Sequence, residues 1–412
     1  MVLKLSKRHE WVAQSEIRNM SIECDRVQGI NLSQGVCDLE VPAVVRQGAQ
    51  AAMDEGINTY TRYDGLNELR EAIAYKQKLF TGMAVNPETE IIVSAGATGA
   101  FYCACLALLN PGDEVILFEP YYGYHVSTLV ATQAVPVYVR LEPPHWTFSD
   151  QDLEKVISAK TRGIMINTPA NPSGKVFTYE ELERLAAVAA RHDLFVFTDE
   201  IYEHFVYDGN RHIPPAILPG LRERTITISG LSKTFSITGW RVGYSICDAR
   251  WAQTIGYFND LVYVCAPAPL QMGVARGLMH LGAAYYDKLA QEYVNKRDKI
   301  CGALSQAGLK PYKPQGAYYV LGDISRIPGE NSKAKAMNLL RRSKVACVPG
   351  EAFYHDDAGE NLARFCFAKQ DDVLDAACRQ DVPLVWTKIV AGIGPISSKI
   401  SHFNGVRDSY LK

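Results

Sequence analysis

Six short apolar runs recur between residues 90 and 228, each closed by polar or turn-forming residues and separated from the next by helical periodicity. They occupy 90–93, 114–118, 135–139, 163–166, 194–197 and 225–228. Runs this short and this apolar, spaced by helices, read as strands of a parallel sheet buried on both faces. The pattern predicts an α/β chain with a large, mostly parallel sheet domain flanked by helices. One intervening helix carries its own start signal. Thr178 with Glu181 three residues later forms a capping box, and Leu182, Leu185, Val188 and Ala189 make an apolar stripe behind it. Further on, 270–308 reads as one long helix, and 316–321, 344–348 and 363–368 read as strands of a smaller α+β unit joined by the N-terminal segment.

Open sheets of this kind bind ligands outside the carboxyl ends of their strands. The residues that follow the runs are therefore the place to look for chemistry: Ser94-Ala95-Gly96-Ala97-Thr98-Gly99, Glu119-Pro120-Tyr121-Tyr122, Asn167 to Pro172, Thr198-Asp199-Glu200-Ile201-Tyr202 and Ser229-Gly230-Leu231-Ser232-Lys233. Singly, each has a plain reading. A lysine after a strand is ordinarily solvated, Asp199 and Asn171 are turn formers, and Tyr122 is a half-buried aromatic. Arg241 and Arg364 default to surface ion pairs worth about 0–1 kcal/mol.

Composition narrows the function classes. The chain has 412 residues, enough for two or three domains, and its 43 Lys+Arg against 45 Asp+Glu leave a net charge of -2. That balance lacks the basic surplus of a nucleic-acid binder. No apolar run approaches the roughly 20 residues of a membrane span. The ten cysteines form no regular framework and the N-terminus turns charged early, so reduced thiols in a cytoplasm are expected. Dinucleotide, P-loop and zinc signatures are absent. Cys103 and Cys105, beside Leu106, Leu108 and Leu109, read as buried helix thiols, not metal ligands, and no metal site is expected.

Taken together, Asn171-Pro172-x-Gly174, Asp199-x-x-Tyr202, Ser232-Lys233 and Gly239-Trp240-Arg241 resemble the aspartate-aminotransferase superfamily of fold type I pyridoxal-phosphate enzymes, the class I/II aminotransferases. The resemblance runs from about residue 31 to 381 and is strongest from Ser232 to Tyr244. It is nearest the kynurenine/glutamine-type and the broad bacterial aspartate/aromatic branches. It implies pyridoxal 5'-phosphate as cofactor and a ping-pong transfer of an amino group from an L-amino acid to a 2-oxo acid. The alternative on the same scaffold is a β/γ-lyase of the carbon-sulfur type.

By that resemblance Lys233 forms the Schiff base, Asp199 keeps the cofactor's ring nitrogen protonated, and Asn171 and Tyr202 donate to its phenolate oxygen. Tyr122 stacks on the ring. Gly96, Ala97 and Thr98 offer backbone amides to the phosphate and Arg241 a guanidinium, with Ser232 in support because Gly230 stands where many members have serine. Arg364 grips the substrate carboxylate, with Gly35 and Asn171 beside it. Tyr60 matches a tyrosine that reaches the phosphate from the neighbouring subunit, which implies a homodimer. Dicarboxylate specialists add a second basic group; Arg62 is the candidate, against the plain reading of a solvated turn residue. The motif positions divide the chain into a large cofactor domain at 45–285, a small domain from 1–44 and 286–381, and an extension at 382–412 with no functional reading.

Overall fold

The computed structural model describes residues 3–6 and 14–379; the expected extension at 382–412 lies outside the described residues. All six apolar runs become strands of one seven-stranded sheet, in the order Ile91–Ser94, Gly243–Ile246, Thr225–Gly230, Phe195–Asp199, Thr161–Asn167, Glu114–Glu119 and Val135–Arg140. The six are mutually parallel. Gly243–Ile246, which the periodicity did not mark, runs antiparallel between two of them. Four residues carry little pattern of their own, and it is the pairing on both sides that makes them a strand.

Successive side chains of each strand point to opposite faces, and both faces are covered. Ile164 and Ile166 pack with Leu182, Leu185 and Ala189 of the helix Tyr179–Arg191. Met165, between them, faces the other way, into a core with Phe101 and Ala104 of the helix Gly96–Leu108 and Ile255 of Ala249–Tyr263. Fully burying one such aliphatic side chain contributes about 1.5–3 kcal/mol. The capping box forms as expected: Glu181 N donates to Thr178 Oγ1 at 3.2 Å, and Thr178 N to Glu181 Oε2 at 3.0 Å. Cys103 and Cys105 are buried in that core, and burial pushes the Cys103 thiol up to about 11.

Two expectations need correcting. The single long helix over 270–308 is two, Ala268–His280 and Ala283–Gln306, because Leu281 and Gly282 take extended backbone. The first lies against the helix Ala43–Asp54, where Gly48 and Gly273 allow close approach, while the second turns toward another sheet. The expected strand at 344–348 is split as well. Val345–Ala346 pairs parallel with Ile30–Asn31, and beyond Cys347 Val348–Pro349 pairs antiparallel with Leu362–Cys366. Two strand partners in different sheets pull one apolar run apart.

The second main sheet is antiparallel, ordered Val348–Pro349, Leu362–Cys366, Tyr319–Asp323, Lys310–Tyr312. Its core combines Tyr293 and Ile300 of Ala283–Gln306 with Tyr318, Val320 and Phe365, and also with Tyr202 and Phe205 from the turn after Phe195–Asp199. A shared core thus fixes the second sheet over the strand ends of the first. No helix among the described residues is long and apolar enough to cross a membrane.

Candidate active site

Between the two sheets, at the carboxyl ends of the parallel strands, lies a cavity of about 500 Å³. Gly35, Ala97, Thr98, Tyr122, Asn171, Asp199, Tyr202, Ser232, Lys233, Arg241 and Arg364 all line it. Asp199 ends its strand, Lys233 follows Thr225–Gly230 in the next loop, and Tyr122 immediately precedes the helix Gly123–Ala131. Arg364 arrives from the other sheet, inside Leu362–Cys366.

Lys233 Nζ donates to Gly35 O at 3.2 Å. Burial brings this amine down to about 8, although Cys366, Cys37 and Asp199 nearby favour its charged form. Asp199 is fixed at both oxygens: His125 Nε2 donates to Oδ2 at 2.9 Å and Ile201 N to Oδ1 at 3.2 Å. Asn167, beside Asp199 in the sheet register, donates from Nδ2 to Asp199 O at 3.0 Å and accepts Asn171 N at 2.8 Å. Tyr202 and Tyr319 share a hydrogen bond at 2.9 Å between their hydroxyls. Burial pushes the Tyr202 phenol far up and that of Tyr319 to about 12, so both remain protonated donors at neutral pH.

Arg364 is fully buried. Its Nη1 donates to Asn171 Oδ1 at 2.8 Å and its Nη2 to Ser33 O at 2.5 Å, and its Cζ lies 4.2 Å from the Tyr319 ring centroid. Among the described residues no carboxylate pairs with it, and its Nε has no hydrogen-bond partner. A buried charge in that state is costly unless an anion joins it. A second anion cradle lies at the start of Gly96–Leu108. That helix has no side-chain cap and no acidic residue in its first turn, so its amides are unclaimed. Gly96, at φ +72, faces Arg241, whose Nη2 stands 2.4 Å from where a Cβ would sit. Only glycine leaves that gap open. The set of a buried amine, a fixed carboxylate, an aromatic face and an uncapped helix start facing an arginine fits pyridoxal 5'-phosphate.

Gly96 forms the cradle floor without lining the cavity itself, and Tyr60 stands apart, 81% exposed. Gly230 is buried in a close strand contact: a Cβ there would lie 3.0 Å from both Gly243 Cα and Val242 O. Arg62 does not line the cavity; its Nη2 is taken by Asp64 Oδ2 at 2.8 Å. Sequence reasoning missed His125, Asn167, Tyr319 and Arg18, which also bear on this site. His125 carried one signal, a polar residue among the apolar positions of a short helix, but its partner is distant in sequence.

Residues 27–380 match the family model for aminotransferase class I and II. The chain is 35% identical over 378 residues to kynurenine-oxoglutarate transaminase 3 of Rattus norvegicus, covering 84% of this chain and 83% of the relative. It is 33% identical over 378 residues to aromatic-amino-acid aminotransferase 2 of Thermococcus litoralis, covering 91% and 96%. The solved N-succinyldiaminopimelate aminotransferase from Mycobacterium tuberculosis superposes with a TM-score of 0.88 at 33% identity, over 92% of this chain and 99% of that one. With this fold, this cavity and these relatives, the chain belongs to the class I and II aminotransferases and is an amino-group-transferring enzyme.

Proposed function

We propose that the cavity holds pyridoxal 5'-phosphate and performs a ping-pong transfer of an amino group from an L-amino acid to a 2-oxo acid. The observation that carries this reading is Arg364, buried with no carboxylate paired to it among the described residues, in the same cavity as a lysine amine brought down to about 8. When bound, the cofactor supplies an aldehyde carbon that takes up the amino group and a ring that accepts the electron pair left at the substrate Cα.

The chain's own residues do the rest. Arg364 binds the substrate's α-carboxylate through its planar fork, with Asn171 and the backbone of Gly35 alongside. Lys233 Nζ takes the proton from the donor's Cα in the first half-reaction and delivers one to the acceptor's Cα in the second, a task suited to an amine that is partly neutral near pH 8. Asp199, oriented by His125, holds a proton on the ring nitrogen. At about 4 Å and an effective dielectric near 20 such a pair gains roughly 4 kcal/mol. Tyr202 and Asn171 donate to the phenolate oxygen, and Tyr122 covers the ring face. The amides of Gly96, Ala97 and Thr98, with Arg241 and Ser232, hold the phosphate.

Ile17, Val36 and Tyr124 line the same cavity and support a donor with a neutral or aromatic side chain. A homodimer is part of the proposal. Tyr60, Tyr257, Leu261 and Val262 are each exposed large apolar side chains, of the kind a partner would cover. So are a large domain at 45–285 and a small one from 1–44 and 286–381. All ten cysteines are free thiols, which favours a cytoplasmic setting.

The test is reduction of the holoenzyme with borohydride followed by peptide mass analysis, with turnover assayed on amino-acid and 2-oxo-acid pairs. The expected result is a pyridoxyl mass on Lys233 and turnover that requires both substrates. Ammonia and pyruvate formed from an amino acid without any acceptor would replace this reading with the lyase.

A further inference from the structure

Arg364 is buried with no carboxylate paired to it among the described residues, so its charge needs other support. Two aromatic rings supply part of it: the guanidinium Cζ lies 4.2 Å from the Tyr319 ring centroid and 5.2 Å from that of Phe353. Sheet pairing brings the first ring there. In the antiparallel pair of Tyr319–Asp323 with Leu362–Cys366, Arg364 stands opposite Leu321. Tyr319, two residues before Leu321, therefore shares the face of Arg364 and is its diagonal neighbour. A ring face attracts the cation without using its N–H groups, so donors remain for an anion.

The other end of Tyr319 meets a second group of the site. Its hydroxyl lies 2.9 Å from that of Tyr202, and burial keeps both phenols protonated. Each hydroxyl has a single proton to give. With the proton of Tyr202 directed at the cofactor's phenolate oxygen, the 2.9 Å contact is donated by Tyr319. A hydroxyl that accepts one hydrogen bond becomes a stronger donor of the next. Gly35 leaves room for this end of the ring: a Cβ at residue 35 would lie 1.8 Å from the Tyr319 hydroxyl oxygen, so a side chain there would displace it. Both phenolate donors thus lead back to Arg364, Asn171 through its Oδ1 at 2.8 Å and Tyr202 through Tyr319.

We infer that Tyr319 is a positioning residue with two separable tasks: its ring holds the Arg364 guanidinium ready for a substrate carboxylate, and its hydroxyl backs Tyr202 as a donor to the cofactor. This rests on the aminotransferase reading, which assigns those roles to Arg364 and Tyr202. Tyr319 moves no proton of the substrate.

Two substitutions in the holoenzyme separate the tasks. Tyr319→Phe keeps the ring and removes only the hydroxyl oxygen, whereas Tyr319→Leu removes both. One measurement is the pH midpoint at which the holoenzyme's visible absorbance band changes. A better-stabilised phenolate oxygen holds the neighbouring proton less tightly, so good donation keeps that midpoint low. The other is the calorimetric affinity for 3-phenylpropionate, a carboxylate with no amino group to transfer. Tyr319→Phe is expected to raise the midpoint by roughly 0.2–0.6 pH unit and to leave the affinity within about twofold of wild type. Tyr319→Leu raises the midpoint as well and lowers the affinity by roughly 10-fold or more, as expected for a desolvated contact between a cation and a ring. Asp199 and Tyr122, the other groups facing the Tyr202 hydroxyl, are the same in both variants. A midpoint unmoved or lowered in Tyr319→Phe, or an affinity lost equally in both variants or in neither, overturns the inference. The phenylalanine variant keeps the packing and decides the role of the hydroxyl whether or not the leucine variant folds. A protein that shows no visible band with pyridoxal 5'-phosphate would instead sink the aminotransferase reading, and the calorimetric comparison would still decide the role of the ring.

Discussion

His125 Nε2 donates to Asp199 Oδ2 at 2.9 Å, tying the helix that follows Tyr122 to the end of the strand Phe195–Asp199. Because an ionised carboxylate only accepts, this contact fixes the imidazole tautomer with its proton on Nε2. Phe101 and Tyr122 pack edge-on against the same imidazole, at 5.5 and 5.3 Å between ring centroids. The histidine is thus a strut that holds the carboxylate in one direction. Asp199→Ala is expected to lose most activity with the far-ultraviolet circular dichroism unchanged. His125→Phe is expected to lower kcat by about 10- to 100-fold, the equivalent of about 1.5–3 kcal/mol for one hydrogen bond to a charged group. A His125→Phe enzyme with wild-type kcat would show that the strut is idle.

Lys233 sets a pH dependence. Burial lowers its amine from the ordinary 10.5 to about 8, so the neutral, nucleophilic form dominates above about pH 8, not above 10.5. The rate at which cofactor-free protein captures pyridoxal 5'-phosphate should rise through pH 8 and level off beyond it, followed by absorbance in a stopped-flow instrument. Lys233→Ala abolishes both this capture and turnover. A capture rate still climbing steadily to pH 10 would contradict the desolvated amine.

Gly96 tests the anion cradle. Gly96→Ala puts a methyl group 2.4 Å from Arg241 Nη2, and the residue must hold a φ of +72 that alanine resists. The arginine end can move, so the fold survives, but the gap is filled. Cofactor affinity, read by fluorescence titration, should fall by about 10-fold or more, in line with a lost charge-assisted contact.

Behind the cavity, Lys76 Nζ and Glu203 Oε2 form a buried pair at 2.6 Å, with Ser229 Oγ donating to the other carboxylate oxygen at 3.0 Å. Glu203 adjoins Tyr202, and Ser229 lies near the end of the strand Thr225–Gly230 that precedes Lys233, so the pair braces both site loops. Lys76→Met strands a buried carboxylate and should cost about 3–5 kcal/mol in urea unfolding, whereas Lys76→Met with Glu203→Leu recovers most of it. The pair lowers Glu203 from 4.5 to about 2. Its contribution is therefore complete above about pH 4.5 and fades as pH falls through about 2. Similar stability of the single and double variants would remove the pair from this account.

Tyr60 tests the dimer. It is 81% exposed in one chain and does not line that chain's own cavity. Tyr60→Ala and Lys233→Ala subunits are each expected to be nearly inactive as homodimers. Refolded together they should regain activity, because one hybrid site then holds both an intact Lys233 and a Tyr60 from its neighbour. No recovery on mixing would separate Tyr60 from the site.

Local order in the chain settled a good deal. Apolar runs such as 163–166 fixed strands because side chains alternate every residue, and Thr178 with Glu181 fixed a helix start because a cap reaches only three residues ahead. The positions after those runs had to fall on one edge of the sheet, which is why Asp199, Asn171, Lys233 and Tyr122 meet in one cavity. What the chain could not announce depends on partners far apart in sequence. Gly243–Ile246 is a strand because of its neighbours, and 344–348 is divided by two of them. His125 finds Asp199 across 74 residues, Tyr202 finds Tyr319 across 117, and Asn171 finds Arg364 across 193. Arg62 and Arg18 show the same division. Both are arginines in polar local sequence, yet Asp64 claims the first, while packing of Met20 and Cys24 turns the second onto the cavity. Periodicity specifies which residues share a face; only the closing of one sheet over another decides which faces meet, because that energy resides in contacts the local chain does not contain.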